Sequence, residues 1–251
     1  MDRRRALASL GTVGLGSLLV ACTRDSGSGG ATVPTTSGAT ATVQPQTSAS
    51  ALADLFDGAA SCTATAEQTE GPYYFDVDSI RSDVREDRAG VPLHLGIRVQ
   101  DAAACSAIAN AVVDIWHCDA KGLHSGFESA SQGGGGGGRT DQKTYLRGAQ
   151  VTNAQGIVEF RTVYPGWYGG RTVHIHTKVH VDATRVLTTQ LYFDEAVTDA
   201  VYAQPPYNSR SGRETLNSDD RVFSSGGGTP PMLTLSREAG GYLGLITIGV
   251  T

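Results

Sequence analysis

Long apolar runs, methionine, tryptophan and any excess of basic charge are all scarce in this 251-residue chain. It holds 2 Met and 2 Trp, and only 7% of its residues are aromatic. Lys and Arg total 20 against 25 Asp and Glu, a net charge of −5. That balance, with its cations scattered, excludes a nucleic-acid binder that works by neutralising phosphates. A single apolar run, Ala6 to Ala21, is too short for a comfortable membrane span, and no second candidate follows it. No sustained 3.6-residue apolar period is present, which excludes a helical bundle. Glycine is plentiful, at 32 residues. The run Gly133 to Gly138 is nevertheless no phosphate loop, because no Lys-Ser/Thr pair and helix follow it.

What is present begins with an address. Arg3, Arg4 and Arg5 precede the apolar run, a pattern similar to a twin-arginine export signal. The run closes on Leu19-Val20-Ala21-Cys22, which resembles a lipobox and makes Cys22 the residue expected to carry lipid. Residues 1–21 are therefore read as a signal peptide, and the protein as exported and held to the cell envelope by lipid alone. Three arginines against Asp2 give that segment +2, so its removal takes the net charge from −5 to −7. Residues 22–58, rich in Ser, Thr, Gly and Ala, read as a flexible tether. Residues 59–251 are left for one domain, enough for a substantial core.

Three cysteines lie beyond Cys22. Export implies an oxidising compartment, where two would pair. Cys62 and Cys105 each sit in a polar stretch beside a turn, whereas Cys118 lies in an apolar strand. The expected bridge is Cys62–Cys105, with Cys118 a buried free thiol rather than a metal ligand. Closing that loop stabilises the fold by roughly 4 kcal/mol in the chain-entropy treatment.

Strand signals dominate the domain. Residues 91–99 and 156–163 alternate apolar with polar, and 111–117, 172–182, 186–193 and 242–250 complete the set. One short helix is predicted over 194–203. Many strands separated by glycine-rich turns point to an all-β fold, a sandwich of mainly antiparallel strands. The long irregular stretches 127–145 and 205–231 are expected to form loops over a site, the first of them mobile around its glycines.

The strand 172–182 carries the chemistry. Val173, Ile175, Thr177, Val179 and Val181 share one face, and His174, His176, Lys178 and His180 the other. Neighbours on one face lie about 7 Å apart, close enough for two imidazoles to converge on one metal. A polar face bearing solvated histidines is the competing reading. Just upstream, Tyr164-Pro165-Gly166-Trp167-Tyr168-Gly169-Gly170-Arg171 can fold a phenol and a cation back over the strand.

These motifs together resemble the intradiol ring-cleavage dioxygenases, the family of the protocatechuate and catechol dioxygenases. Thr69-Glu70-Gly71-Pro72-Tyr73-Tyr74 is similar to its opening motif, followed by Ile80-Arg81-Ser82-Asp83. Asp114-Ile115-Trp116-His117-Cys118-Asp119-Ala120, the block from Tyr164 to His176, and Thr189-Gln190-Leu191-Tyr192-Phe193 match in the same order. The resemblance runs from Thr69 to Val250. It implies non-haem Fe(III) as cofactor, with a small aromatic diol and dioxygen as partners. The reaction it implies is cleavage between the two hydroxyls to a muconate-type diacid. Carried over residue by residue, Tyr168, His174 and His176 are metal ligands, Arg171 stabilises developing negative charge, and Gln190 is its polar partner. One position departs from the pattern. In Lys121-Gly122-Leu123-His124-Ser125-Gly126, His124 stands where the family has its second ligand tyrosine. His124 is expected to ligate in its place, with one anionic donor lost and the preference for Fe(III) weakened. A non-catalytic lipoprotein binding a metal, an aromatic or a carbohydrate is the alternative. Of the other histidines, His180 is read as solvated or adjacent to the site, His94 as an ordinary strand residue and His117 as buried and hydrogen-bonded. The oligomeric state is left open.

Overall fold

The computed structural model describes residues 31–34, 40–46, 48–56, 62–75, 79–131, 138–182, 184–225 and 228–251. The proposed signal peptide, Cys22 and residues 133–137 of the glycine run lie outside the described residues.

A small antiparallel hairpin pairs β1 (Ala31–Pro34) with β2 (Thr40–Val43). Eight further strands make the sandwich: β3 (Pro92–Asp101), β4 (Val112–Trp116), β5 (Arg147–Val151), β6 (Ile157–Val163), β7 (His174–His180), β8 (Val186–Tyr192), β9 (Thr234–Glu238) and β10 (Gly241–Val250). One sheet runs β6-β3-β10-β9 and the other β5-β4-β7-β8. Every pairing is antiparallel except β3 with β10. Alternation places Leu93, Leu95, Ile97 and Val99 of β3 in one core with Val113 and Ile115 of β4 and Ile175 and Val179 of β7. The alternate residues of β4 and β7 therefore face outward.

The six strands expected from alternation are present within a residue or two at each end. β5 and β9 were not expected. Both are the outermost strands of their sheets, with sequences Arg-Gly-Ala-Gln-Val and Thr-Leu-Ser-Arg-Glu that lack apolar alternation; β5 is also held on its outer side, where Ala149 makes backbone hydrogen bonds with Ser79 and Arg81. The short helix α1 spans Glu195–Tyr202, and Asp194 caps it by accepting from the Val197 N–H at 3.1 Å.

The tether expectation fails at the β1–β2 hairpin, whose Ala31 packs with Val112, Ala149 and Val151, and again at its C-terminal end. Ser48–Phe56 forms a 3-10 helix whose Ala49, Leu52 and Phe56 are buried against Ile157 and Leu243. Three apolar residues on one face outweigh the polar average composition of the segment. A disulfide joins Cys62 to Cys105, with a Cα separation of 5.1 Å. Cys118 is free and buried, its thiol donating to the Gly166 carbonyl at 3.2 Å. Burial pushes that thiol well above its ordinary value, which suits a structural rather than a reactive cysteine. Among the described residues no helix is long and apolar enough to cross a membrane.

Candidate metal centre

Strand register assembles the centre. On the outward face of the second sheet, Trp116, His176 and Gln190 stand side by side across β4, β7 and β8, and His174 pairs with Tyr192 one step along. The Trp116 ring stacks on His176 at 4.9 Å between centroids, only 7° from parallel, and so fixes the imidazole plane. Gly71 covers the other side. A Cβ there would come within 3.3 Å of the His176 ring, and its φ of +73° is one that glycine adopts freely.

His174 is oriented from behind. Its Nδ1–H donates to the Thr172 carbonyl at 2.6 Å, which leaves Nε2 as a lone-pair donor facing the centre. The loop before β7 turns at Gly170, φ +77°, and bridges Tyr168 to Arg171. That turn brings Tyr168 Oη to 2.9 Å from His174 Nε2, and His176 Nε2 lies 3.1 Å from the same atom. Two imidazole nitrogens and a phenol oxygen thus converge within hydrogen-bonding distance.

The electrostatics match a site for a cation. Burial, aided by the Arg171 charge, pushes His174 down to about 3. Burial likewise holds His176 and His124 well below the ordinary imidazole range. All three rings are neutral and competent as donors at neutral pH. Burial raises the Tyr168 phenol above its ordinary value despite Arg171, so it ionises only when a cation is supplied. The donor chemistry therefore fits a metal with mixed nitrogen and phenolate ligation.

His124 adjoins this trio. Its ring packs edge-on against Tyr168 at 4.9 Å and lies 4.5 Å from the Tyr73 ring. Its Nδ1 faces the Ser131 hydroxyl at 3.4 Å, and its buried Nε2 has no hydrogen-bond partner among the described residues. No group of three or more His, Cys, Asp or Glu side chains able to hold a metal occurs among those residues. The converging donors are two imidazoles and one phenol.

Arg171 and Gln190 meet as expected, the guanidinium Nη2 donating to Gln190 Oε1. Gln190 Nε2 in turn donates to the Thr69 carbonyl at 2.9 Å, tying the opening motif to the centre. Arg171 Nη1 lies 3.4 Å from His174 Nε2. Sequence reading missed Asp220, whose buried carboxylate accepts from Arg171 Nε at 2.9 Å. It also missed Arg147, which is buried and donates to the Ser125 hydroxyl and carbonyl next to His124. Nothing in the local sequence marks either residue, because each acquires its partner through strand register or a distant turn. His180 is buried rather than solvated, and burial lowers it to about 4. His117 is buried and hydrogen-bonded to the Cys118 carbonyl and Thr162. A cavity of about 320 Å³ opens beside Tyr168 and Arg171, roomy enough for a small aromatic ring.

A family model described as a dioxygenase matches residues 69–218, more than half of the chain, and takes in Tyr168, Arg171, His174, His176 and Gln190. The intradiol ring-cleavage dioxygenase from Tetranychus urticae superposes with a TM-score of 0.71 at 32% identity, over 76% of this chain and 95% of that one. The chain belongs to the intradiol ring-cleavage dioxygenases. Within that family, catechol 1,2-dioxygenase 1 of Acinetobacter lwoffii is 31% identical over 185 residues, covering 61% of this chain and 56% of the relative. The chain spans about half the length of the curated catechol dioxygenases that it matches. The dioxygenase domain of a carbohydrate-binding fusion protein from Streptomyces sp. SirexAA-E shares the intradiol architecture at a TM-score of 0.52 and 28% identity, covering 75% of this chain and 99% of that one.

Proposed function

We propose that this protein is an Fe(III)-dependent dioxygenase that opens catechol-type rings between their two hydroxyls. The observation that carries the reading is the convergence of Tyr168 Oη, His174 Nε2 and His176 Nε2 beside the Arg171–Gln190 pair. Tyr168, His174 and His176 would hold the iron, with His124 as a fourth ligand through its unpartnered Nε2. When bound, Fe(III) supplies the redox chemistry that couples an aromatic diol to dioxygen.

The chain's own residues do the rest. Tyr168 Oη accepts a proton from the incoming diol, since its phenol is stable only protonated once it leaves a cation. Arg171 places positive charge beside the reacting ring, where negative charge builds as the carbon–carbon bond breaks. Gln190 holds the guanidinium by accepting from it while anchored to Thr69. Trp116 and Gly71 keep His176 still and dry. Both atoms of dioxygen end in the product, a muconate-type diacid. A purely binding role gains support from the histidine at position 124, but gives no use to an arginine and a glutamine locked together at the centre.

Iron-loaded protein supplied with catechol is expected to consume one dioxygen per ring and to yield a muconate absorbing in the ultraviolet. A ring cleaved outside the two hydroxyls, or no oxygen uptake, overturns the reading.

We also propose that the protein acts outside the cytoplasm, held by lipid at Cys22 at the end of its apolar run. Cys22→Ser should move it from the membrane fraction to the soluble fraction, and continued membrane association would refute the anchor.

A further inference from the structure

The stretch 205–231 reads in sequence as a lid or a binding wall, yet its second half is fastened down. Asn217 accepts from the Thr172 hydroxyl at 2.6 Å and donates to the Phe193 carbonyl at 2.8 Å. Phe223, in helix α2 (Arg221–Ser225), packs edge-on against Tyr192 at 4.9 Å. Between them Asp220 is buried, and each of its carboxylate oxygens has two donors. Oδ2 accepts from Arg171 Nε at 2.9 Å and from the Thr172 N–H at 2.7 Å. Oδ1 accepts from the N–H groups of Val222 at 2.7 Å and Phe223 at 3.0 Å.

We propose that Asp220 is the positioning residue of Arg171, setting the plane of its guanidinium so that the free edge faces the metal-side donors. This role rests on the intradiol reading for its catalytic meaning. A guanidinium is planar and carries its donors in a fixed fork, so anchoring two different nitrogens leaves it no rotation about either. Asp220 holds Nε and Gln190 holds Nη2. The remaining Nη1 is thereby left 3.4 Å from His174 Nε2. Gln190 alone would leave the group free to swing about a single hydrogen bond. Four donors already engage the carboxylate, so it has no capacity left to act as a base or to ligate a metal. Burial alone would raise its pKa, but the Phe223 and Thr172 N–H groups and the Arg171 charge outweigh that and keep it below the usual carboxylate range. Asp220 thus stays an anion on the far side of the arginine, and the segment that carries it is a brace.

The test uses the full chain with Asp220→Asn, and Asn217→Ala as a control that loosens the same turn without touching the guanidinium. The first readout needs no turnover. The Arg171 Nε–H signal in nitrogen-15 spectra, assigned by its loss in Arg171→Lys, should exchange with water at least about tenfold faster in Asp220→Asn, the scale of one charged hydrogen bond. Asn217→Ala should leave it slow. Equal protection in wild type and Asp220→Asn overturns the proposal whether or not the protein turns over catechol. The second readout is kinetic. Asp220→Asn should lower kcat by roughly 10- to 100-fold with KM within about twofold, and add less than about twofold in an Arg171→Ala background. Fully additive losses in the double variant would also overturn it. If wild-type protein takes up no oxygen with catechol, the intradiol reading has failed, and the exchange measurement still decides the brace.

Discussion

Both sheets carry histidine on their outward faces, and the two settings differ in what answers the imidazole. His94 on β3 keeps its side chain 22% exposed and meets Glu159 at 3.0 Å and Glu238 at 3.8 Å. His174 and His176 on β7 are buried and meet no carboxylate; their Nε2 atoms face each other and a phenol. A buried lone pair aimed at another lone pair is unfavourable unless a proton or a cation sits between them. The first setting completes itself with carboxylates; in the second the Tyr168 hydroxyl reaches His174 Nε2, while His176 Nδ1 has no partner among the described residues.

The widest separation between the two faces is expected from deleting one histidine on each. His176→Ala should abolish both iron retention and oxygen uptake, since two of the three converging donors cannot hold the metal firmly. His94→Ala should leave uptake within about twofold and cost no more than about 1 kcal/mol, the range for a partly exposed hydrogen bond. Iron content and oxygen uptake of the two variants check this. Loss of iron from His94→Ala would erase the distinction.

Much of this was legible because both periodicities are local. Alternation over 172–182 fixed which residues of β7 share a face, and the block from Tyr164 to His176 carries three converging donors within nine residues. Other features depend on distant partners. Arg147 reaches Ser125 because β5 pairs with β4, and Asp220 reaches Arg171 across 49 positions. The strand β5 itself lacks a strand-like sequence and is held by β4 on one side and by backbone hydrogen bonds to Ser79 and Arg81 on the other. Of the two readings of His180, solvated or adjacent to the site, burial removes the first, for the same reason. Its neighbours across the sheet, Val112 and Val186, are contributed by other strands.

Acid should sharpen the contrast, with an effect smaller than the loss of a ligand. Burial lowers His117 from 6.5 to about 4 in the folded protein. Between those values the unfolded chain takes up a proton that the native state refuses, so stability is complete above pH 6.5 and falls as pH drops to about 4. The full loss from this one group is about 3 kcal/mol. His117→Gln retains hydrogen bonding without a titrating ring. Its unfolding free energy should therefore decline less steeply from pH 6.5 to 4.5, a window above the titration of most carboxylates. Parallel declines in the two proteins would show that His117 is not the group involved.

The smallest effect is expected at His124, where the two faces are linked by one question: whether an unpartnered buried nitrogen is a ligand or merely a loop residue. Its Nε2 has no hydrogen-bond partner among the described residues, and its ring packs edge-on against Tyr168. If it ligates, His124→Ala should lower iron affinity while leaving the thermal transition nearly unchanged. His124→Tyr should add a second phenolate, deepen the visible charge-transfer colour of the ferric protein and raise Fe(III) affinity by roughly tenfold, about 1.4 kcal/mol. A wild-type spectrum already showing two phenolates would reverse the assignment. Tyr145 could not be their source, because its hydroxyl donates to Glu128 at 2.8 Å. Tyr73 could, since its ring contacts both His124 at 4.5 Å and Tyr168 at 6.4 Å. Tyr73→Phe would then remove one phenolate band and leave His124 as a neighbour of the metal rather than a ligand to it.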